Sequence, residues 1–433
     1  MIVPSIDIRG GRAVQLRGGR HEPLDLGDPL ALAARYSRVG EIAVVDLDAA
    51  MGTGDNSALV EELARRWPCR VGGGIRTREK AVKYLDAGAR ALMIGTMATP
   101  DFLRQLPKER LIAALDIRGS EVYDQGWTRG TGKNLDERMA GIADCVGGFL
   151  VTFIDNEGDM GGIDLERARA IVAKAGGARM VFAGGASGAA EIAELDRLGA
   201  DVQAGTALAA GKLSLGAAFC APLVSDRDDG LWPSVVTDEG GRVLGLAWSD
   251  LESVSHALDT GKGAYQSRER GLWVKGQESG NDQELLRIEA DCDRDALRFV
   301  VRQSGSGFCH LGTWSCFGER RGLALLEHTV AGRAVSAPEG SYTRRLFDDP
   351  SMIASKLREE AAELAVAGTK PEVTAEAADV LYFTMVKLVA AGVSLAEVEA
   401  ELDRRSLRIT RRGGATKDAY ASDSQERIWA GYH

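Results

Sequence analysis

Eight short apolar runs divide the first 222 residues, and they limit what that half of the chain can become. They are Ile2–Ile6, Ile42–Leu47, Cys69–Val71, Ala91–Ile94, Leu111–Leu115, Phe149–Ile154, Met180–Phe182 and Val202–Ala204. Stretches of helical periodicity lie between several of them: Ser57–Arg66, Arg78–Ala87, Leu165–Ala175 and Ala189–Leu198. Alternating strand and helix specify a parallel sheet. Eight such units in about 220 residues fit an α/β fold, a closed (β/α)8 TIM barrel.

The same region repeats itself. Asp7-Ile8-Arg9-Gly10 returns as Asp116-Ile117-Arg118-Gly119 at an offset of 109. Asp48 meets Glu157 at that offset, Gly73-Gly74 meets Gly184-Gly185 at 111, and Gly95-Thr96 meets Gly205-Thr206 at 110. Repeated matches in one order imply two half-barrels. Carboxylates ending strands one and five face each other across a barrel mouth, where barrel active sites lie. One can serve as acid and the other as base. The glycines let backbone N–H groups approach a phosphate. Two cradles related by pseudosymmetry suit a long substrate with a phosphate at each end.

A second unit is expected over 225–335, after the polar stretch Val224–Gly230, where Gly and Asp punctuate β-type runs. Its centre is Asp291-Cys292-Asp293-Arg294-Asp295. Read as an extended strand, it puts Asp291, Asp293 and Asp295 on one face and turns Cys292 away. Three adjacent carboxylates ask for a cation, and oxygen ligands suit Mg²⁺. Six cysteines in 433 residues are too few for a disulfide scaffold. Three are scattered and read as core thiols. The others, Cys292, Cys309 and Cys316, form a candidate Zn²⁺ site with the fourth position left for water. His310, next to Cys309, is a candidate general base.

A third unit is expected over 339–415, followed by a polar tail at 416–433. Met352–Ala367, Val373–Ala391 and Leu395–Ile409 each read as an amphipathic helix. Glu359, Glu360 and Glu363 lie within about one turn, and Glu376 and Asp379 share a helix face. Like charges so placed in an apolar setting ask for a bridging divalent cation. Lys356, Arg344 and Arg345 can meet phosphate oxygens.

The formal net charge of −10 argues against nucleic acid as a partner. No run of 18 apolar residues occurs, so no membrane partner is expected. The start, Met1–Asp7, lacks the pattern of a signal peptide, so a cytoplasmic location is expected.

Three resemblances sharpen these readings. Ser5-Ile6-Asp7, Val45-Asp46-Leu47-Asp48, Gly72-Gly73-Gly74-Ile75-Arg76, Ile94-Gly95-Thr96, Leu115-Asp116, Gly126-Trp127, Thr152 and Ala183-Gly184-Gly185 resemble the phosphoribosylformimino-aminoimidazole carboxamide ribotide (ProFAR) isomerase family. That resemblance implies a metal-free Amadori rearrangement, with Asp7 as base, Asp116 as acid, Thr152 assisting and Trp127 stacking on the carboxamide ring. Phe153, Asp159 and Thr206 depart from the family pattern, which has Arg at the last position. The barrel is therefore either an isomerase or a scaffold.

The Asp-Cys-Asp-x-Asp run, with Cys309-His310 and Ser315-Cys316-Phe317, resembles phosphoribosyl-AMP cyclohydrolase. The resemblance implies a zinc-dependent, dimeric enzyme with zinc ligands from both subunits. Tyr265, Arg268, Arg270, Trp273, Lys275 and Ser279 match its nucleotide-binding stretch. Glu-x-x-Glu, 12 residues, then Glu-x-x-Asp, with Ser341-Tyr342-Thr343 ahead, resembles phosphoribosyl-ATP pyrophosphohydrolase. It implies Mg²⁺ on the acids, with Glu360 and Glu363 catalytic. The implied substrates, phosphoribosyl-ATP, phosphoribosyl-AMP and ProFAR, belong to consecutive steps of histidine biosynthesis.

Overall fold

In the N-terminal half, parallel strands close on themselves in chain order: β1 (Ile2–Arg9), β2 (Ile42–Asp46), β3 (Cys69–Gly72), β4 (Ala91–Ile94), β5 (Leu111–Arg118), β6 (Gly148–Phe153), β7 (Arg179–Ala183) and β8 (Ala200–Ala204). The pairing of Ile2 with Val202 completes the circle. The computed structural model describes residues 1–16, 24–124, 127, 129–156, 161–267, 269 and 271–410. Strand side chains alternate between two environments. Val3, Ala43, Met93, Ile112, Leu150 and Val181 fill the interior, while Ile6, Val44, Val71 and Phe149 pack outward against helices. The helices include Ser57–Arg66, Arg78–Ala87, Leu165–Lys174 and α1 (Ala189–Arg197).

In the middle unit, β9 (Trp232–Thr237) pairs antiparallel with β10 (Val243–Ser249) and parallel with β14 (Leu297–Gln303), which pairs antiparallel with β13 (Gln283–Ala290). β11 (Ala264–Ser267) and β12 (Gly271–Val274) form a separate hairpin. The helix Leu251–Thr260 covers the sheet and meets the barrel's helix Leu215–Cys220. A side chain at Gly216 would collide with Ser255, so only glycine permits this approach. One apolar core runs from the barrel into this sheet.

The expected extended strand over 291–295 does not form. These residues make the turn between β13 and β14, with Arg294 at φ 69°. Asp291 Oδ1 accepts from the N–H groups of Asp295 (3.1 Å) and Ala296 (3.2 Å), which folds the run back on itself.

The third unit comprises α2 (Gly322–Val335), α3 (Tyr342–Asp348), α4 (Pro350–Val366), α5 (Lys370–Ala390) and α6 (Leu395–Ser406). Its core joins Val330 to Leu346, Ile353, Phe383 and Val386. Thus α2, which lies inside the 225–335 span of the sequence reading, packs with the helices.

Both appended units attach at the floor of the barrel, where its strands begin. Arg294 Nε and Nη2 reach the Asp196 carboxylate at 3.1 and 3.2 Å, and Arg38 donates to Leu258 O at 2.7 Å. From the helical unit, Ile409 N donates to Asp86 Oδ1 at 3.0 Å, and Arg110 of the barrel donates to Leu407 O at 2.9 Å. Among the described residues, no single helix is long and apolar enough to cross a membrane.

Candidate functional site

At the mouth of the barrel, Asp7 and Asp116 occupy matching places on β1 and β5. Enclosure by the barrel wall penalises their charge. It pushes the Asp7 pKa up to about 7, against a hydrogen bond from Ser5. Asp116 is also raised by enclosure, against hydrogen bonds from Thr152 and Trp127. Thr152 is its register neighbour on β6. Trp127 therefore contacts the acid directly, from a left-handed backbone at φ 69°.

The half-barrel repeat is visible in register. Asp7 pairs with Val45, and Asp116 with Thr152. This alignment makes Asp155, not Glu157, the counterpart of Asp48. Gly10 N donates to Asp48 Oδ2 at 2.6 Å, and Gly119 N donates to Asp155 Oδ2 at 3.3 Å. Glu157 and Asp159 lie outside the described residues.

Gly73 and Gly184 repeat one contact. A Cβ on either would strike the backbone of the neighbouring strand end, Asp46 and Phe153 respectively. Gly74 (φ 62°) and Gly185 (φ 94°) are likewise left-handed. Gly95-Thr96 and Gly205-Thr206 follow β4 and β8. The Thr206 hydroxyl is buried with no partner among the described residues.

In the middle unit, Asp291, Asp293 and Asp295 offer oxygens within 4.8 Å of one another. Despite its burial, Asp291 is held below the carboxylate range, chiefly by the Ala296 and Asp295 N–H groups. Asp295 is raised by its hydrogen bond to Asp291 and the charge of Asp293. The three cysteines do not meet within one chain. Cys309 and Cys316 are hydrogen-bonded neighbours, whereas Cys292 is exposed in the acidic turn. The Cys309 thiol is lowered by the Leu311 N–H at 3.5 Å, by Thr313 and Cys316, and by Lys275. Cys316 is raised by burial and by Cys309.

Lys275 is buried beside this pair, 5.7 Å from the Phe308 ring. Burial lowers its pKa, against the charges of Asp282 and the two thiols. Trp273 packs on Tyr265 at 5.7 Å. His310 is exposed next to Cys309, and Ser279 accepts from Asn281 N at 3.4 Å. Arg268 and Arg270 lie outside the described residues.

In the helical unit, Glu360 and Glu363 of α4 and Glu376 of α5 bring oxygens within 4.8 Å of one another. Asp379 adds its charge to Glu376, which is raised first by desolvation and then by Glu363. Glu359 does not join. It is exposed and held by Lys356 at 2.7 Å, while Lys356 also reaches Glu360 at 2.9 Å. Nor do Arg344 and Arg345 aim at the acids. Arg344 pairs with Asp348 at 3.1 Å, and Arg345 lies over the Tyr342 ring.

Three family models match in order: "Histidine biosynthesis protein" over residues 1–214, "Phosphoribosyl-AMP cyclohydrolase" over 245–318 and "Phosphoribosyl-ATP pyrophosphohydrolase" over 323–406. The "Histidine biosynthesis bifunctional protein HisIE" of Pyrococcus furiosus is 38% identical over 196 residues, 42% of this chain and 93% of that protein. The chain belongs to the histidine-biosynthesis proteins.

Fungal members of this histidine-biosynthesis group are closer in sequence. The Neurospora crassa "Histidine biosynthesis trifunctional protein" is 52% identical over 212 residues, 49% of this chain and 24% of that protein. The Schizosaccharomyces pombe "Histidine biosynthesis bifunctional protein his7" is 48% identical over 216 residues, 50% of this chain and 52% of that protein. The chain thus spans about a quarter to a half of these curated relatives. Two site features of this histidine-biosynthesis chain escaped sequence reasoning. Ser5, quoted only as part of a motif, bonds Asp7. Asp155 supports the second half-barrel, and an alignment by strand ends rather than by a constant offset would have found it.

Proposed function

We propose that the chain performs three consecutive steps of histidine biosynthesis. The helical unit cleaves phosphoribosyl-ATP to phosphoribosyl-AMP and pyrophosphate. The middle unit opens the adenine ring by hydrolysis to give ProFAR. The barrel isomerises ProFAR to PRFAR. One observation carries the reading: the three family matches fall in order on three structural units, each holding the acids or thiols that its proposed chemistry uses.

In the helical unit, Glu360, Glu363, Glu376 and Asp379 form a hard oxygen set that fits Mg²⁺. Bound there, the ion would supply a clamp on the triphosphate and a polarised water. Lys356 fixes Glu360 in the set. In the middle unit, the Asp291, Asp293 and Asp295 oxygens fit a second Mg²⁺. Cys309 and Cys316 fit Zn²⁺ when Cys292 from a second copy completes the thiolate set. The zinc would supply a hydroxide at neutral pH. A homodimer is favoured by Leu246, Leu311 and Phe317, which flank the thiol pair at 56%, 77% and 73% exposure. His310 is placed to take a proton beside the pair.

In the barrel, the Asp7 pKa near 7 suits proton exchange at neutral pH, and enclosure shifts Asp116 in the direction that favours its protonated form. Thr152 and Trp127 orient Asp116. The glycine pairs at both half-barrels fit a phosphate at each end of the substrate.

The test is to incubate the full chain with phosphoribosyl-ATP, Mg²⁺ and Zn²⁺ and to follow pyrophosphate, ring-opened product and its isomer. Neither pyrophosphate nor ring opening from metal-loaded protein would end the proposal. A second reading, an inactive barrel serving as scaffold, draws on Thr206 and Phe153. If isomerisation is observed and Asp7→Asn abolishes it, that reading is excluded.

A further inference from the structure

We propose that Arg294 is a positioning residue: through Asp196 it makes the barrel the rigid support of the acidic turn in the neighbouring unit. The proposal rests on reading Asp291, Asp293 and Asp295 as a cation site, and it adds what holds that site in shape.

Arg294 occupies the left-handed backbone region at φ 69°. Glycine adopts that region freely, whereas in an L residue the Cβ crowds the following carbonyl oxygen. An arginine at such a position needs compensation, and three contacts supply it. Its guanidinium makes a two-pronged contact with Asp196 at 3.1 and 3.2 Å, near the last turn of α1 in the barrel. Its Nη1 donates to Asp291 O at 2.9 Å, within its own turn. Its carbonyl accepts from Val224 N at 2.9 Å, in the segment joining barrel to sheet.

The turn is thereby fixed at its tip, its base and its entry. Asp196 is 13% exposed and also accepts from the Met1 α-amino group at 2.7 Å, so the anchor is itself immobilised. A planar guanidinium fork held by a partly buried carboxylate transmits orientation, not only charge.

A purely electrostatic role predicts the opposite consequence. Arg294 lies among three carboxylates, and deleting a positive charge there strengthens attraction for a cation. Deleting a support spreads the three oxygens and weakens binding. The sign of the effect separates the two roles.

The experiment uses the full chain with Glu360→Gln and Glu376→Gln introduced to silence the helical acids, and titrates it with Mn²⁺ followed by its paramagnetic resonance. Arg294→Gly and Asp196→Asn are each expected to weaken Mn²⁺ binding at the turn about tenfold, the usual scale for losing a group that orients a metal ligand. The double variant should be no weaker than Arg294→Gly alone, because both remove one contact. Arg294→Lys, which keeps charge but loses the fork, should fall between.

With the unfolding midpoint retained, Mn²⁺ binding that is unchanged or tighter in Arg294→Gly overturns the support role and leaves the cation reading standing. So do fully additive losses in the double variant. If Asp196→Asn unfolds the seam, Arg294→Gly decides alone, since glycine relieves the backbone conformation. If the parent binds no Mn²⁺ that Asp293→Asn removes, the cation reading fails and the support role with it.

Discussion

Asp7 gives the most direct residue-level test. Its pKa of about 7 means that the folded state keeps its proton well above the ordinary carboxylate range. The folded chain therefore binds more protons than the unfolded chain between the two values, so this group's contribution to stability is greatest below the ordinary value and is lost as pH rises through about 7. Isomerisation with Asp7 as base should rise over the same interval. Asp7→Asn is expected to lower turnover by at least about 100-fold. It should also raise the unfolding midpoint at pH 8 relative to the parent, which then carries a buried charge; a fall there would contradict the assignment of burial as the cause. Arg70 provides a contrasting case at the barrel floor. It is 1% exposed and held by Glu41 at 2.8 Å and Asp201 at 2.9 Å. Arg179 also reaches both acids, at 3.2 and 2.9 Å, so Arg70→Ala leaves each of them one cationic partner and should cost about 1–3 kcal/mol in urea unfolding.

At the scale of elements, the two acidic clusters differ in how they are built, and this predicts how they respond to metal removal. The helical cluster is assembled across α4 and α5, and Glu376 is raised by desolvation and by Glu363. Stripping divalent ions should loosen that helix pair, and pyrophosphate release and ring opening should both stop. The resemblance of the barrel to ProFAR isomerase implies metal-free chemistry, so isomerisation is expected to survive; measuring all three rates after chelation and after Mg²⁺ and Zn²⁺ are returned checks this.

The eight barrel strands and the long helices α4 to α6 were legible in the chain, because burial on a barrel wall or helix face imposes a period. Asp7, Asp116 and the glycine pairs were legible because the repeat marked them twice. The run at 291–295 misled because alternating acids imitate a strand; the apolar runs on either side were a turn signal, but the left-handed Arg294 depends on Asp196, 98 residues away. Likewise Glu359 and Glu360 are adjacent in sequence, yet only the packing of α5 selects Glu360. The cysteine trio could not be resolved, since one chain brings only two of its thiols together.

At the scale of the whole molecule, the barrel has its chemistry at one end and its attachments at the other. The acidic turn is tied to Asp196 and the last helix to Asp86, both at the floor, while Asp7 and Asp116 open at the mouth. Under the proposed function, and within one chain, a molecule released from the middle unit would leave near the floor, while Asp7 and Asp116 lie at the opposite end of the barrel strands. The intermediate is then expected to pass through bulk water, open to capture on the way. Adding a separate, inactive barrel that binds ProFAR should delay PRFAR formation in proportion to its concentration, whereas a sheltered passage would leave the time course untouched. Joining these steps in one polypeptide would then secure equal numbers of each catalyst rather than private delivery between them.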